Sequence, residues 1–411
     1  MDGSSTIAGS GKNRSGCGLE RCHNAAMSLA RRMADIQPFQ VMEIWNRAKE
    51  LEAQGRHIVQ MQIGEPDFTA PDSVIAACTE ALQQQPMHYT SALGMPLLRH
   101  AISQHYRERY HLAVPASRIA VTAGASGALL IAAGVLINPG DEILMPDPAY
   151  PCNRHFVRFF EGSVKSIPVG PQTRYQLTTQ LIEANWSAKT RGVLLASPSN
   201  PTGTMIAPEE MRAIIAAVHA RGGVAIVDEI YQGLTYASDF ASALAYSDRI
   251  FVVNSFSKYF SMTGWRLGWL VVPEDCVRNV ETFAQNAFIC PSAPAQFAGI
   301  AAFSAQTTAT LEERRAEFRR RRDFLVPALR ELGFSIPVTP EGAFYIYAGI
   351  EHFSTDSGKF ALDLLERAGV AITPGKDFGV NEAERYVRFA YTRSMSDLHE
   401  GVERLRKYLC G

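Results

Sequence analysis

Five short runs rich in apolar and β-branched residues, set apart by helix-length stretches, constrain the fold of this chain more than any other feature. They are Ile119–Thr122, Asp141–Met145, Arg191–Ser197, Gly223–Val227 and Ile250–Val253. Runs this short read as strands, and strands alternating with helices form a parallel sheet with both faces covered. The expected fold is therefore α/β, with a doubly wound, mostly parallel sheet. Such a sheet takes its ligand beyond the carboxyl ends of its strands. Gly124, Tyr150, Asn200, Asp228 and Lys258 each follow one of the five runs. One ligand at one sheet edge requires that shared placement.

The last run leads into Ser255–Trp269, which offers the amine of Lys258, the hydroxyls of Ser255 and Ser257, and the guanidinium of Arg266. An amine can form a Schiff base with an aldehyde, while hydroxyls and a guanidinium hold a phosphate. The combination suits a phosphorylated carbonyl cofactor. A lone Lys or Arg in a loop is ordinarily a surface charge; here the neighbours argue for a site. The pattern Ser-x-Ser-Lys followed by Gly-x-Arg-x-Gly resembles the lysine signature of the class I/II pyridoxal-phosphate aminotransferases of fold type I. Other signatures of that family occur in the same order from about residue 60 to residue 391.

The resemblance gives roles to residues that by themselves stay ambiguous. Gly124, Ala125 and Ser126 open a helix, and a helix start at a strand end presents unpaired N–H groups to a phosphate. The turn lacks the lysine of a P-loop and the full GxGxxG spacing, so its signal alone is weak. In the family this turn binds the cofactor phosphate, and Arg266 supplies the charge. Tyr150 is placed to stack on a pyridine ring. Asn200 reads equally as a turn cap; the matching motif implies an amide donor to the ring oxygen, shared with the phenol of Tyr231. Asp228 ends an apolar strand and needs a partner, which a protonated ring nitrogen would provide. Arg388, in the apolar stretch Tyr386–Tyr391, is half of an internal salt bridge or the clamp for a substrate carboxylate. Gly64 lets the main chain of a strand exit approach a small ligand. Tyr89 is a core or interface aromatic by itself; the resemblance implies that it reaches the cofactor phosphate of a neighbouring subunit, and hence a homodimer.

Lys and Arg number 40 against 41 Asp and Glu, a balance without the basic excess that nucleic-acid binding would need. No run approaches the about 18 apolar residues that span a bilayer, so no membrane partner is expected. The seven cysteines are scattered and free of CxxC spacing, which suits a reducing cytoplasm. Cys17, Cys22 and His23 cluster without a second ligand group, so no metal site is expected. Residues 1–30 read as a disordered tail, with a basic, acid-poor composition that transit peptides share. The expected domains are a large cofactor-binding unit over 63–300 and a smaller α+β unit built from 31–62 and 301–411.

The function expected is a ping-pong transfer of an amino group from an L-amino acid to a 2-oxo acid, with pyridoxal 5'-phosphate on Lys258 and Lys258 as general base and acid. A β-elimination lyase of the same fold is the alternative, because the cofactor carries chemistry common to both. No second arginine is evident for a side-chain carboxylate, and Phe39 and Val41 lie in the entry segment. Apolar or mixed donors are expected over strict aspartate specificity.

Overall fold

A computed structural model describes residues 2–3, 28–236 and 241–410; the Cys17, Cys22 and His23 cluster lies outside the described residues. A turn of 3-10 helix, Arg31–Asp35, is followed by the helix Gln40–Ala53 and the short strand β1 (Val59–Gln60). Apolar residues recur at helical spacing across residues 36–54, yet the helix starts only at Gln40. Pro38 biases the residue before it toward extended backbone, and Phe39 is extended as well. The sequence alternates as a strand would over His57–Ile63, but β1 is limited to Val59–Gln60 because the next carbonyls serve side chains. Gln62 accepts from Arg388 and Thr373, Ile63 from Thr392, and Gly64 from Lys258.

The central sheet holds β2 (Ile119–Thr122), β3 (Glu142–Asp147), β4 (Ser163–Pro168), β5 (Thr190–Ala196), β6 (Val224–Asp228), β7 (Phe251–Ser255) and β8 (Gly268–Val271). Their spatial order is β2-β8-β7-β6-β5-β3-β4, with β8 antiparallel to both of its neighbours and the other adjacent pairs parallel. Six strands thus end at one edge, and β8 begins there. Alternate residues feed two separate cores: Val193, Leu195, Val227 and Val252 on one face, Leu194, Ile226, Phe251 and Val253 on the other. Burial on both faces explains why the runs are apolar throughout.

Outside the central sheet, β1 pairs with β10 (Val370–Ala371) in parallel, and β9 (Tyr345–Gly349), β11 (Thr373–Pro374) and β12 (Tyr386–Ala390) form an antiparallel sheet ordered β11-β12-β9. The N-terminal β1 is thus joined to a strand of the C-terminal segment. Residues 340–347 carry the apolar and aromatic pattern of a strand, but β9 starts at Tyr345: the Ala343 N–H donates to the Leu234 carbonyl, the Glu341 carbonyl accepts from the Tyr236 N–H, and the Gly342 N–H donates to the Gly203 carbonyl. The charged helical stretch that the sequence shows from Thr310 begins at Ala305, where the Ser304 side chain accepts from the Thr307 N–H at 3.2 Å.

Candidate active site

Ser255 at the end of β7 is paired with Gly268 at the start of β8. The loop between them leaves and returns at one point of the sheet edge, carrying Lys258 and Arg266. Gly268 also faces Thr122 of β2, which brings the Gly124–Ser126 turn alongside. Gly124 has a φ of +70°, and a Cβ on it would lie 2.7 Å from Nη2 of Arg266. Only glycine permits this approach. The helix Gly124–Leu136 starts here, so its unpaired N–H groups and a guanidinium converge on one spot, which is an anion site. Ser257 lines the cleft. Ser255 does not: its buried hydroxyl lies 3.0 Å from Oγ of Ser257 and 3.1 Å from the Leu267 carbonyl, and shapes the loop from behind.

The Lys258 amine donates to the Gly64 carbonyl at 2.6 Å. Burial lowers its pKa to about 8, with Glu65 and Asp228 opposing and Arg388 and Arg266 reinforcing the shift. Asp228 is 5 % exposed, and its carboxylate accepts from the Ile230 N–H at 3.0 Å. Burial raises its pKa to about 6, against the pull of that N–H and of Lys258. A buried carboxylate this poorly compensated is suited to a cationic partner.

Arg388 is 5 % exposed. It donates to Oδ1 of Asn200 at 2.8 Å, to the Gln62 carbonyl at 2.5 Å and to Oγ1 of Thr373 at 3.1 Å. Among the described residues its Nε has no partner, and the guanidinium donates to amide, carbonyl and hydroxyl oxygens rather than to a carboxylate. The internal salt bridge considered from sequence is thus not what holds Arg388. Its guanidinium stands 4.3 Å from the Tyr345 ring centroid and 4.8 Å from that of Phe378.

These side chains line one cleft of about 470 Å³ with Ala125, Ser126, Tyr150, Asn200 and Tyr231. Tyr150 stacks on Phe39 with ring centroids 6.4 Å apart. Tyr231 and Tyr345 share a hydroxyl hydrogen bond of 2.9 Å. Gly64 needs its missing side chain for an internal reason: a Cβ there would overlap the Tyr345 hydroxyl and lie 2.8 Å from the ring carbon Cζ. Tyr89 does not line the cleft of its own chain and is 81 % exposed.

The helix start with its guanidinium, the buried carboxylate and the amine, all on one cleft, have the chemistry to suit a phosphate, a ring nitrogen and an aldehyde. Residues 56–405 match the family model for aminotransferase class I and II. The chain belongs to the class I and II aminotransferases. It is 39 % identical to the valine–pyruvate aminotransferase of Mycobacterium tuberculosis, over 92 % of this chain and 97 % of that protein. A probable aspartate/prephenate aminotransferase of Aquifex aeolicus is 33 % identical over 93 % of this chain and 98 % of its own. The crystal structure of an aminotransferase from Mycobacterium tuberculosis superposes with a TM-score of 0.91 at 39 % identity, covering 93 % of this chain and 99 % of that one. Aspartate aminotransferase from Thermus thermophilus with maleate gives 0.88 at 31 % identity, with 93 % and 99 % covered.

This aminotransferase accordingly transfers an amino group between an amino acid and an oxo acid, and the lyase alternative is not favoured. Class I and II aminotransferases generally depend on pyridoxal phosphate. No helix among the described residues is long and apolar enough to cross a membrane. Sequence reasoning missed several lining residues of this aminotransferase. In the sequence Tyr345 falls in an aromatic strand pattern and Trp45 in a helical apolar repeat, both of which suit a core, while Asp377 and Phe378 fall in the turn-rich stretch Pro374–Gly379. Their only signal was the proximity of Asp377 and Phe378 to glycines and a proline.

Proposed function

We propose that this aminotransferase works with pyridoxal 5'-phosphate on Lys258 and draws its amino group from donors with apolar side chains. One observation carries the cofactor reading: the amine of Lys258, the Arg266 guanidinium and the N-terminal turn Gly124–Ser126 meet over a single hairpin connection. The turn and Arg266 would hold the phosphate, with Ser126 and Ser257 adding hydroxyls. Tyr150 would cover one ring face, and Asn200 and Tyr231 would donate to the ring oxygen. Asp228 would keep the ring nitrogen protonated. When bound, the cofactor supplies a cationic ring that takes up the electron pair released at the donor's α-carbon. Arg388 receives the α-carboxylate through parallel hydrogen bonds. Lys258, with a pKa near 8, is largely able to hold or release a proton at neutral pH, and moves the α-proton as general base and acid.

The donor class rests on the rest of the wall. Lys258, Arg266 and Arg388 are the cations lining the cleft among the described residues, and each already has a part. Phe39, Val41, Trp45, Phe156 and Phe378 supply apolar surface. A side-chain carboxylate would find no uncommitted counter-charge among these residues of its own chain, and an apolar chain would be desolvated at little cost.

We read the chain as a homodimer in which the exposed Tyr89 reaches the partner's phosphate site. We also read it as a cytoplasmic protein, a reading supported by free thiols at Cys78, Cys152, Cys276, Cys290 and Cys410. The proposed units, 63–300 against 31–62 with 301–411, put Lys258 on the larger and Arg388 on the smaller. The deciding experiment is the visible absorption spectrum with pyridoxal phosphate, before and after single amino acids, with products assayed. Conversion to the amino form of the cofactor with one oxo acid per site and no ammonia is expected, with leucine, valine or alanine ahead of aspartate. Continuous ammonia release, absence of a cofactor band, or preference for aspartate would overturn the respective part.

A further inference from the structure

The helix Gln40–Ala53 has no cap of its own. Phe39 stands at the N-cap position and makes no side-chain hydrogen bond, yet the first N–H groups of a helix need acceptors. The acceptor comes from the far end of the chain: the Gln40 N–H donates to Oδ1 of Asp377 at 2.8 Å. Asp377 is 7 % exposed and lines the cleft. Its placement is determined in turn by the central sheet. The Ala149 N–H donates to the Phe378 carbonyl at 2.9 Å, and the Val380 N–H donates to Oδ2 of the buried Asp147, the last residue of β3, at 3.0 Å. An unbroken series of contacts thus runs from the sheet edge through Asp377 to the helix start. That helix start carries Phe39, Val41 and Trp45, the apolar wall of the cleft.

Resting on the proposed donor class, we infer that Asp377 is a positioning residue for donor side-chain recognition: it caps the helix Gln40–Ala53 and so holds the apolar wall in place over the substrate. Asp377 handles neither the amino group nor the α-carboxylate of the donor. Its influence falls on the part of the donor that reaches Phe39, Val41 and Trp45. A long apolar side chain reaches that wall; the methyl of alanine is too short to use it.

The test compares Asp377→Ala and Asp377→Asn with the parent protein in two ways. Hydrogen exchange of the peptide around residues 36–48 is followed in the cofactor-loaded protein. Half-reaction kinetics are followed with leucine and with alanine. Loss of a cap weakens a helix start enough for about a five- to tenfold effect. Asp377→Ala is expected to speed exchange in that peptide by about this factor and to raise KM for leucine at least fivefold more than for alanine, with kcat moving less. Asp377→Asn retains an oxygen acceptor and is expected to restore most of both. Unchanged exchange in Asp377→Ala, or equal losses for leucine and alanine, would overturn the inference. The exchange result stands even where the donor class proves wrong, while failure of the parent to favour leucine over aspartate counts against the donor class alone.

Discussion

Nη1 of Arg388 lies 2.8 Å from Oδ1 of Asn200, joining β12 to the loop after β5 inside the cleft. The bond fixes the orientation of both side chains. It commits the Asn200 oxygen as an acceptor, which leaves its amide nitrogen to donate elsewhere, and it holds the guanidinium fork in one plane. Arg388→Lys keeps the charge and loses the fork. Weakening a buried, hydrogen-bonded charge pair costs about 2–5 kcal/mol, so kcat/KM for amino-acid donors should fall by about thirtyfold to a few thousandfold. The cofactor absorption band should be unaltered. Steady-state kinetics beside the spectrum check this, and a lost band would place Arg388 in cofactor binding instead.

Lys258 titrates near 8, below the usual lysine value, because burial penalises its charge. The neutral amine is the form that reacts with an aldehyde. The rate at which the cofactor-free protein takes up pyridoxal phosphate should therefore rise with pH through a midpoint near 8 and level off above it. Stopped-flow absorbance from pH 6.5 to 10 measures the profile. A midpoint near the ordinary lysine value would mean that Lys258 is better solvated than its surroundings imply.

Asp228 has the opposite sign. Its folded pKa of about 6 lies above the unfolded value of 3.8, so the folded state binds more protons between those values and loses stability as pH rises through that window. Above pH 6 the full cost is present, at most about 3 kcal/mol. Asp228→Asn should stabilise the cofactor-free protein at pH 7.5, and the gain should shrink as pH falls from 6 toward 4. The same change should weaken cofactor binding, because the ring nitrogen loses its counter-ion. Thermal melts across pH and a cofactor titration separate the two effects.

Gly64→Ala should damage the site by steric overlap with Tyr345. Tyr345→Phe removes the hydroxyl but leaves Cζ 2.8 Å from the added Cβ, so the double variant should recover only part of the lost activity. Removing the hydroxyl also leaves the Tyr231 phenol without its 2.9 Å partner. Full recovery in the double variant would show that the ring moves freely.

The sheet and most of the cleft were legible because both obey local rules. A strand buried on two faces announces itself by continuous apolarity, as Val224–Asp228 does, and the residue after it must then lie at the ligand-bearing edge. Helix Gln40–Ala53 was harder. Its Ile44, Ala48 and Leu51 enter the core, while Val41 and Trp45 face the cleft, and periodicity does not distinguish two apolar faces with different neighbours. Asp377 was illegible for another reason: its partner Gln40 is 337 positions away. Ser255 and Ser257 have the same chemistry in one motif, and it is the buried contact of the Ser255 hydroxyl with the Leu267 carbonyl that shows which one is turned from the cleft.

The ladder pairing of Ser255 with Gly268 makes the loop after β7 a gauge. Ser255 and Gly268 cannot slide past one another without turning every core side chain of two central strands to the wrong face. The span between the Lys258 amine and the Arg266 guanidinium is therefore inherited from the sheet and cannot relax to suit another ligand. An insertion of one residue at the exposed Gly264 turn would leave both core and span intact, whereas one between Ser255 and Lys258 or between Arg266 and Gly268 would leave the core intact and the span wrong. Such variants would pass a screen for folded protein and remain colourless, so indels in this loop should be scored by eye for yellow before they are scored by heat.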